Sequence, residues 1–130
     1  MELLKECEKI QSEIRCKKLK LENLRQLRVS TAISYSEDKV QTSYRGDKIE
    51  RLTAEIIDLE NEINDCIGKY LDIYKQVENL IDSIDEPKQK ELMTRRYLCC
   101  ESWSHISKMM HVSRQTLWAW NSEILQKINA

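Results

Sequence analysis

Residues 48–85, KIERLTAEIIDLENEINDCIGKYLDIYKQVENLIDSID, decide the fold. Ile49, Leu52, Ile56, Leu59, Ile63, Cys66, Tyr70, Ile73, Val77, Leu80 and Ile84 recur at alternating steps of three and four. A repeat of about 3.5 residues keeps one narrow apolar stripe on one side of a helix, the seam of a left-handed coiled coil. Polar residues fill most of the other positions. Gly68 lies off the stripe, so it weakens the helix locally without breaking the contact. Glu86-Pro87 ends the helix, because the residue before Pro is steered out of the helical region.

Toward the N-terminus, residues 2–28 carry a matching stripe of Leu3, Cys7, Ile10, Ile14, Leu21 and Leu24, interrupted by Lys17 and Arg28. Between the two stripes, residues 29–47 collect Ser, Thr, Tyr and Asp and lose the helical period. Two seams and a connection predict an antiparallel coiled-coil hairpin over residues 1–86, with a long loop at 29–47. A connection of about 19 residues is long for helical proteins, where about 2–8 is usual. At about 1.5 Å per residue the first helix spans about 40 Å and the second about 57 Å. Leu21 and Leu24 are then expected near Ile49, Leu52 and Ile56. Val77, Leu80 and Ile84 should overhang the first helix, packing on the C-terminal helices or on a second copy in a homodimer.

Composition agrees with an all-α chain. Two Gly and one Pro in 130 residues leave too little turn punctuation for a sheet of many hairpins, and no glycine cluster to cradle phosphates. No paired carboxylates or nucleophile–His arrangement stand in a recognisable frame, so an enzyme is not expected. The formal net charge is −1, unevenly spread: residues 1–87 hold 14 Lys and Arg against 19 Asp and Glu, and residues 88–130 hold 7 against 3. An acidic extension carrying a basic module suits a polyanionic partner. No apolar run approaches the roughly 20 residues of a membrane span, and the start Met1-Glu2-Leu3-Leu4-Lys5-Glu6 lacks the layout of a secretion signal, so a cytoplasmic protein with no membrane partner is expected. Cys7, Cys16, Cys66, Cys99 and Cys100 form an odd set without paired-ligand spacing, even with His105 and His111 near the last two. Reduced, mostly packed thiols are expected, with no metal or other cofactor.

The last stretch, 87–130, carries the functional signal. After a short basic helix at 88–98, residues 102–120 have the pattern of two helices joined by a tight turn, with Ser102 and Ser113 as caps. Ile106, Met110, Val112, Leu117 and Trp120 fall where a helix-turn-helix locks its two helices, and Ser107 is small enough for their close approach. His111 stands where the turn normally has Gly, so it must accept a left-handed backbone. The second helix sets Ser113, Arg114, Gln115, Trp118 and Ser122 away from Leu117, Trp120 and Ile124. Arg suits guanine edges and Gln adenine edges, which makes this set the candidate base-reading surface on double-stranded DNA. Lys88, Lys90, Arg95, Arg96 and Lys108 are candidates for phosphate contacts that set register.

Arg95-Arg96-Tyr97-Leu98, Ser102-Trp103-Ser104-His105-Ile106-Ser107 and Val112-Ser113-Arg114-Gln115-Thr116-Leu117 together resemble region 4 of bacterial sigma factors. The closer resemblance is to small sigma-region-4-like late transcription regulators of phages and prophages, in the RinA and ArpU style. Tyr35-Ser36-Glu37-Asp38-Lys39-Val40-Gln41-Thr42-Ser43 and the heptad helix after it are similar to the N-terminal half of that group. The resemblance implies a helix-turn-helix that binds promoter DNA and activates late genes together with host RNA polymerase, with Arg114, Gln115 and Trp118 on the recognition helix. Other sigma-factor regions, including one that could melt a promoter, are lacking, so activation beside a sigma factor is expected rather than replacement of one. The alternatives are a small-terminase-like adaptor for DNA packaging, and a coiled-coil interaction module that binds no DNA.

Overall fold

The computed structural model describes residues 2–37 and 42–129. All secondary structure among them is helical: α1 (Glu2–Glu37), α2 (Thr42–Asp82), α3 (Pro87–Met93), one π-helical turn (Thr94–Leu98), α4 (Trp103–Met110) and α5 (Arg114–Asn129). Helices α1 and α2 form a long hairpin. Their partners run in opposite directions: Gln11 meets Tyr70, Lys17 meets Glu62, and Arg25 meets Glu60. No helix among the described residues is long and apolar enough to cross a membrane.

The expected loop at 29–47 is corrected. Residues 29–37 belong to α1 and 42–47 to α2, while 38–41 lie outside the described residues. Ser and Thr are poor helix formers but not helix breakers; their cost is a few tenths of a kcal/mol per residue, well within what packing overrides. Thr31 and Thr53 satisfy their hydroxyls on the carbonyls of Leu27 and Ile49, at 2.8 and 2.9 Å, instead of unwinding the backbone. The arms are therefore 36 and 41 residues long, and the expected overhang of α2 shrinks to the five-residue difference, about 7 Å.

Residues fall into two compact units, Ser12–Gly68 and 2–11 with 69–129. In the first, Leu21, Ile56, Leu59 and Ile63 are buried, with Leu24 and Ile67 packed against them. Leu21 thus meets Ile56 as expected, but its other partners are Leu59 and Ile63 rather than Ile49 and Leu52, because both helical arms are longer than the sequence pattern implied. Lys17, the gap in the first stripe, is bridged to Glu62 at 3.0 Å.

In the second unit, Leu4, Cys7, Val77, Ile81, Met93, Tyr97 and Ile124 form one buried cluster. Val77 therefore has partners in α1 as well as in the C-terminal helices. Three layers of helix meet there, so the burial broadens from the stripe residue Leu80 to its neighbour Ile81. Gln11 is the buried polar member. Its Nε2 donates to the Tyr70 hydroxyl at 2.8 Å and to the Tyr97 carbonyl at 3.0 Å, while its Oε1 accepts from the Cys100 thiol. Satisfied in this way, the amide avoids the desolvation cost of an unpaired buried group. Cys7, beside it, donates to the same Tyr97 carbonyl at 3.6 Å, and burial pushes its thiol up to about 11.

Helix α2 stops at Asp82, three residues before its expected end. Ser83 donates its hydroxyl to the Leu80 carbonyl at 2.6 Å, and the Ile84 amide turns back to the Ile81 carbonyl at 3.0 Å. Glu86 is extended before Pro87, and Pro87 opens α3, where a missing N–H costs nothing.

Candidate nucleic-acid interface

The C-terminal helices are built on three fully buried side chains: Leu92 from α3, Ile106 from α4 and Leu117 from α5. Trp103, Met110, Val112 and Trp120 pack around them, half-buried. Each buried aliphatic contributes about 1.5–3 kcal/mol, so this cluster fixes how α4 and α5 sit on α3.

The connection between α4 and α5 is tight and fully bonded. Ser102 caps α4 by accepting the His105 amide at 3.1 Å. His111 ends α4 in the left-handed region (φ 56°, ψ 42°), as the turn demands of a residue standing where Gly would be easier. The Val112 amide reaches back to the Ser107 carbonyl at 3.2 Å, the long bond of a Schellman cap, and the Ser107 hydroxyl donates to the Val112 carbonyl at 2.5 Å. Ser113 then accepts the Thr116 amide at 3.2 Å and so starts α5. The same sequence of events occurs one helix earlier. Cys100 is also left-handed (φ 58°), and like His111 it stands two residues before a capping Ser.

On α5, Arg114, Gln115 and Ser122 are exposed and Trp118 is 49% exposed, on the side away from buried Leu117 and Ile124. These four share one face. Arg114 also donates to the Ser104 hydroxyl at 3.4 Å, so its guanidinium spans from α5 to the start of α4. Ser113 uses its hydroxyl for the cap and for an exchange with Thr116 Oγ1 at 2.9 Å, which makes it a helix-starting residue within the predicted reading set.

The five predicted phosphate contacts divide. Lys88 and Lys108 are exposed and make no ion pair among the described residues. Lys90 pairs with Asp82 at 3.5 Å. Arg95 is held by Glu91 and Glu101, each at 3.0 Å. Arg96 donates to the Glu101 carbonyl at 3.0 Å, lies 3.7 Å from Glu8, and stacks its guanidinium 4.8 Å from the centre of the Trp103 ring. Arg95 and Arg96 therefore close the turn after the π-helix, and Lys88 and Lys108 are the cations open to an anion.

Sequence reasoning missed Glu101, which gathers Arg95 and, at 3.0 Å, His105 Nε2. Its position four residues before His105 was the available signal. It also missed Gln11, one residue off the α1 stripe, whose partners are distant in sequence. Mostly packed thiols were expected; Cys7 is buried, Cys66 is half-buried, and Cys16, Cys99 and Cys100 are exposed. Among the described residues no three His, Cys, Asp or Glu side chains group as metal ligands would. Compared with protein-family models, curated proteins and solved structures, the chain has no match.

Proposed function

We propose that the chain binds double-stranded DNA, with α4 and α5 acting as a helix-turn-helix and α5 entering the major groove. The observation that carries this reading is the exposed polar face of α5 opposite a fully buried anchor, behind a turn closed by Ser107, His111 and Ser113. A rigid backing lets short contacts discriminate bases. In this reading Arg114 and Gln115, in the first turn of α5, address guanine and adenine edges, Trp118 a thymine methyl, and Ser122 the end of the reading face. Lys88 and Lys108 supply phosphate contacts, within a segment whose basic residues outnumber its acidic ones.

The resemblance of 95–98, 102–107 and 112–117 to sigma region 4 makes promoter DNA the proposed target, and activation of phage-type late genes with bacterial RNA polymerase the proposed outcome. The test is to select preferred duplexes from a random pool, then measure affinity for the selected and an unrelated duplex at fixed salt. Loss of a bidentate base contact costs about 1–3 kcal/mol, so Arg114→Ala should weaken specific binding by roughly tenfold or more while leaving the unrelated duplex little affected. Lys108→Ala should weaken both alike. A parent that selects no duplex, or an Arg114→Ala variant that holds the selected site as tightly as the parent, would show that α5 is not the reader.

A further inference from the structure

Arg114 opens α5 directly after the capping Ser113, and its side chain crosses to the neighbouring helix. Its Nη1 donates to the Ser104 hydroxyl at 3.4 Å, joining the first turn of α5 to the first turn of α4. The two residues are 10 apart in sequence, and the left-handed turn at His111 brings them together. Capping of α4 falls to Ser102, which accepts the His105 amide, so the Ser104 hydroxyl is left to face Arg114.

Ser104 orients without neutralising. Arg95 is held by two carboxylates and Arg96 lies near a third, which offset their charges. Arg114 makes no ion pair among the described residues, and its bond to Ser104 is its only side-chain hydrogen bond among them. A neutral hydroxyl fixes a guanidinium and leaves its full positive charge for a partner. The nitrogen engaged matters as well. With Nη1 turned to Ser104, the edge formed by Nε and Nη2 keeps both of its parallel N–H donors, the pair that matches guanine O6 and N7.

An exposed Arg samples many rotamers, and ordering it on binding opposes affinity. A side chain already held in the free protein loses less. We propose that Ser104 is a positioning residue for Arg114, holding the guanidinium so that its Nε–Nη2 edge meets a guanine. This rests on α5 being the recognition helix. Ser104 itself touches no base; it sharpens the preference for guanine at one place, and Gln115, Trp118 and Ser122 address the rest of the site. A single exposed hydrogen bond supports an effect of about three- to tenfold on that preference.

Two measurements test this, one on the free chain and one on the complex. In mildly acidic buffer, nitrogen-15 relaxation of the free chain should show the Arg114 Nε–H more restricted in the parent and in Ser104→Thr, which keeps the hydroxyl, than in Ser104→Ala. Equal mobility in all three overturns the proposal whatever the chain binds. For the complex, the duplex is the one the parent selects from a random pool, and the guanine is the one whose replacement no longer matters to Arg114→Ala. Ser104→Ala should lower the preference for that guanine about three- to tenfold, with affinity for an unrelated duplex unchanged, and Ser104→Thr should restore it. In an Arg114→Ala background, Ser104→Ala should have no further effect. An unchanged preference overturns the proposal. So does an equal loss on both duplexes, which would place Ser104 on a phosphate, or an effect that persists without Arg114, which would make its role structural. A parent that selects no duplex although Ser104 restrains Arg114 overturns the DNA reading and this proposal with it; a parent that selects guanine with a mobile Arg114 overturns this proposal alone.

Discussion

The unit Ser12–Gly68 and the three C-terminal helices both rest on apolar side chains, but they use them differently. Among the described residues of the hairpin unit none is completely buried: Leu21, Ile56, Leu59 and Ile63 keep a few per cent of their surface in water, and partly exposed ion pairs such as Lys17–Glu62 flank them. In the C-terminal helices Leu92, Ile106 and Leu117 are completely buried, and the turns between helices are tied by Ser102, Ser107 and Ser113. A seam spreads its stabilisation over many equivalent turns, so no single residue dominates. A three-point anchor concentrates it, and with it the sensitivity to substitution. The concentrated region is also the one that holds the proposed reading face in a fixed orientation.

The largest expected effect strikes the anchor. Leu117→Ala removes a completely buried side chain and should cost about 2–5 kcal/mol, seen as loss of the near-ultraviolet circular dichroism of Trp103 and Trp120 before the helical signal of the hairpin falls. If both signals fall together in the variant, the two regions are one cooperative unit. Trp120 itself is only half-buried, so its truncation is a weaker probe than a fully buried Trp would be.

A second experiment uses pH. The Cys7 thiol ionises near 9 when unfolded and is pushed up to about 11 when folded, by burial and then by Cys100 and Glu8. Because the folded value is the higher one, its contribution is complete below pH 9 and is lost as pH rises through 11. Two pH units at about 1.4 kcal/mol each give at most about 2–3 kcal/mol. Denaturant titrations between pH 8 and 11 should fall more steeply for the parent than for Cys7→Ser. Equal slopes would show that Cys7 does not stay protonated inside the cluster.

The smallest effect belongs to the hairpin. A double-mutant cycle on Lys17 and Glu62 should return about 0.2–1 kcal/mol, the range for exposed pairs, and shrink in high salt. A coupling well above this would mean that the hairpin, too, has a concentrated point of support.

How much of this was legible in the sequence follows from how local each cause is. The stripe of α2 could be read because a 3.5-residue repeat is a local property, and both capping serines because a cap is bonded to its own next turn. Residues 29–37 and 42–47 were misread because a composition resembling a loop costs a helix only a few tenths of a kcal/mol per residue, too little to end it. Within the candidate interface, the exposure of Arg114, Gln115, Trp118 and Ser122 followed from helical spacing. The engagement of Arg95 and Arg96 did not, since it depends on Glu101 and Trp103 being folded back by a backbone conformation at Cys100 that no glycine announces.

The π-helical turn at Thr94–Leu98 bears on how this chain can change length. A π turn holds one residue more than the α turn it replaces, closing its bonds across five residues, as Cys99 does onto Thr94 at 3.0 Å. Deleting one residue inside α1 or α2 would rotate everything beyond it by about 100° and lift the stripe off its partner. Deleting one residue between Thr94 and Leu98 has an ordinary α turn, continuing α3, to relax into. Among the described helices, this turn is where a one-residue deletion is most readily absorbed.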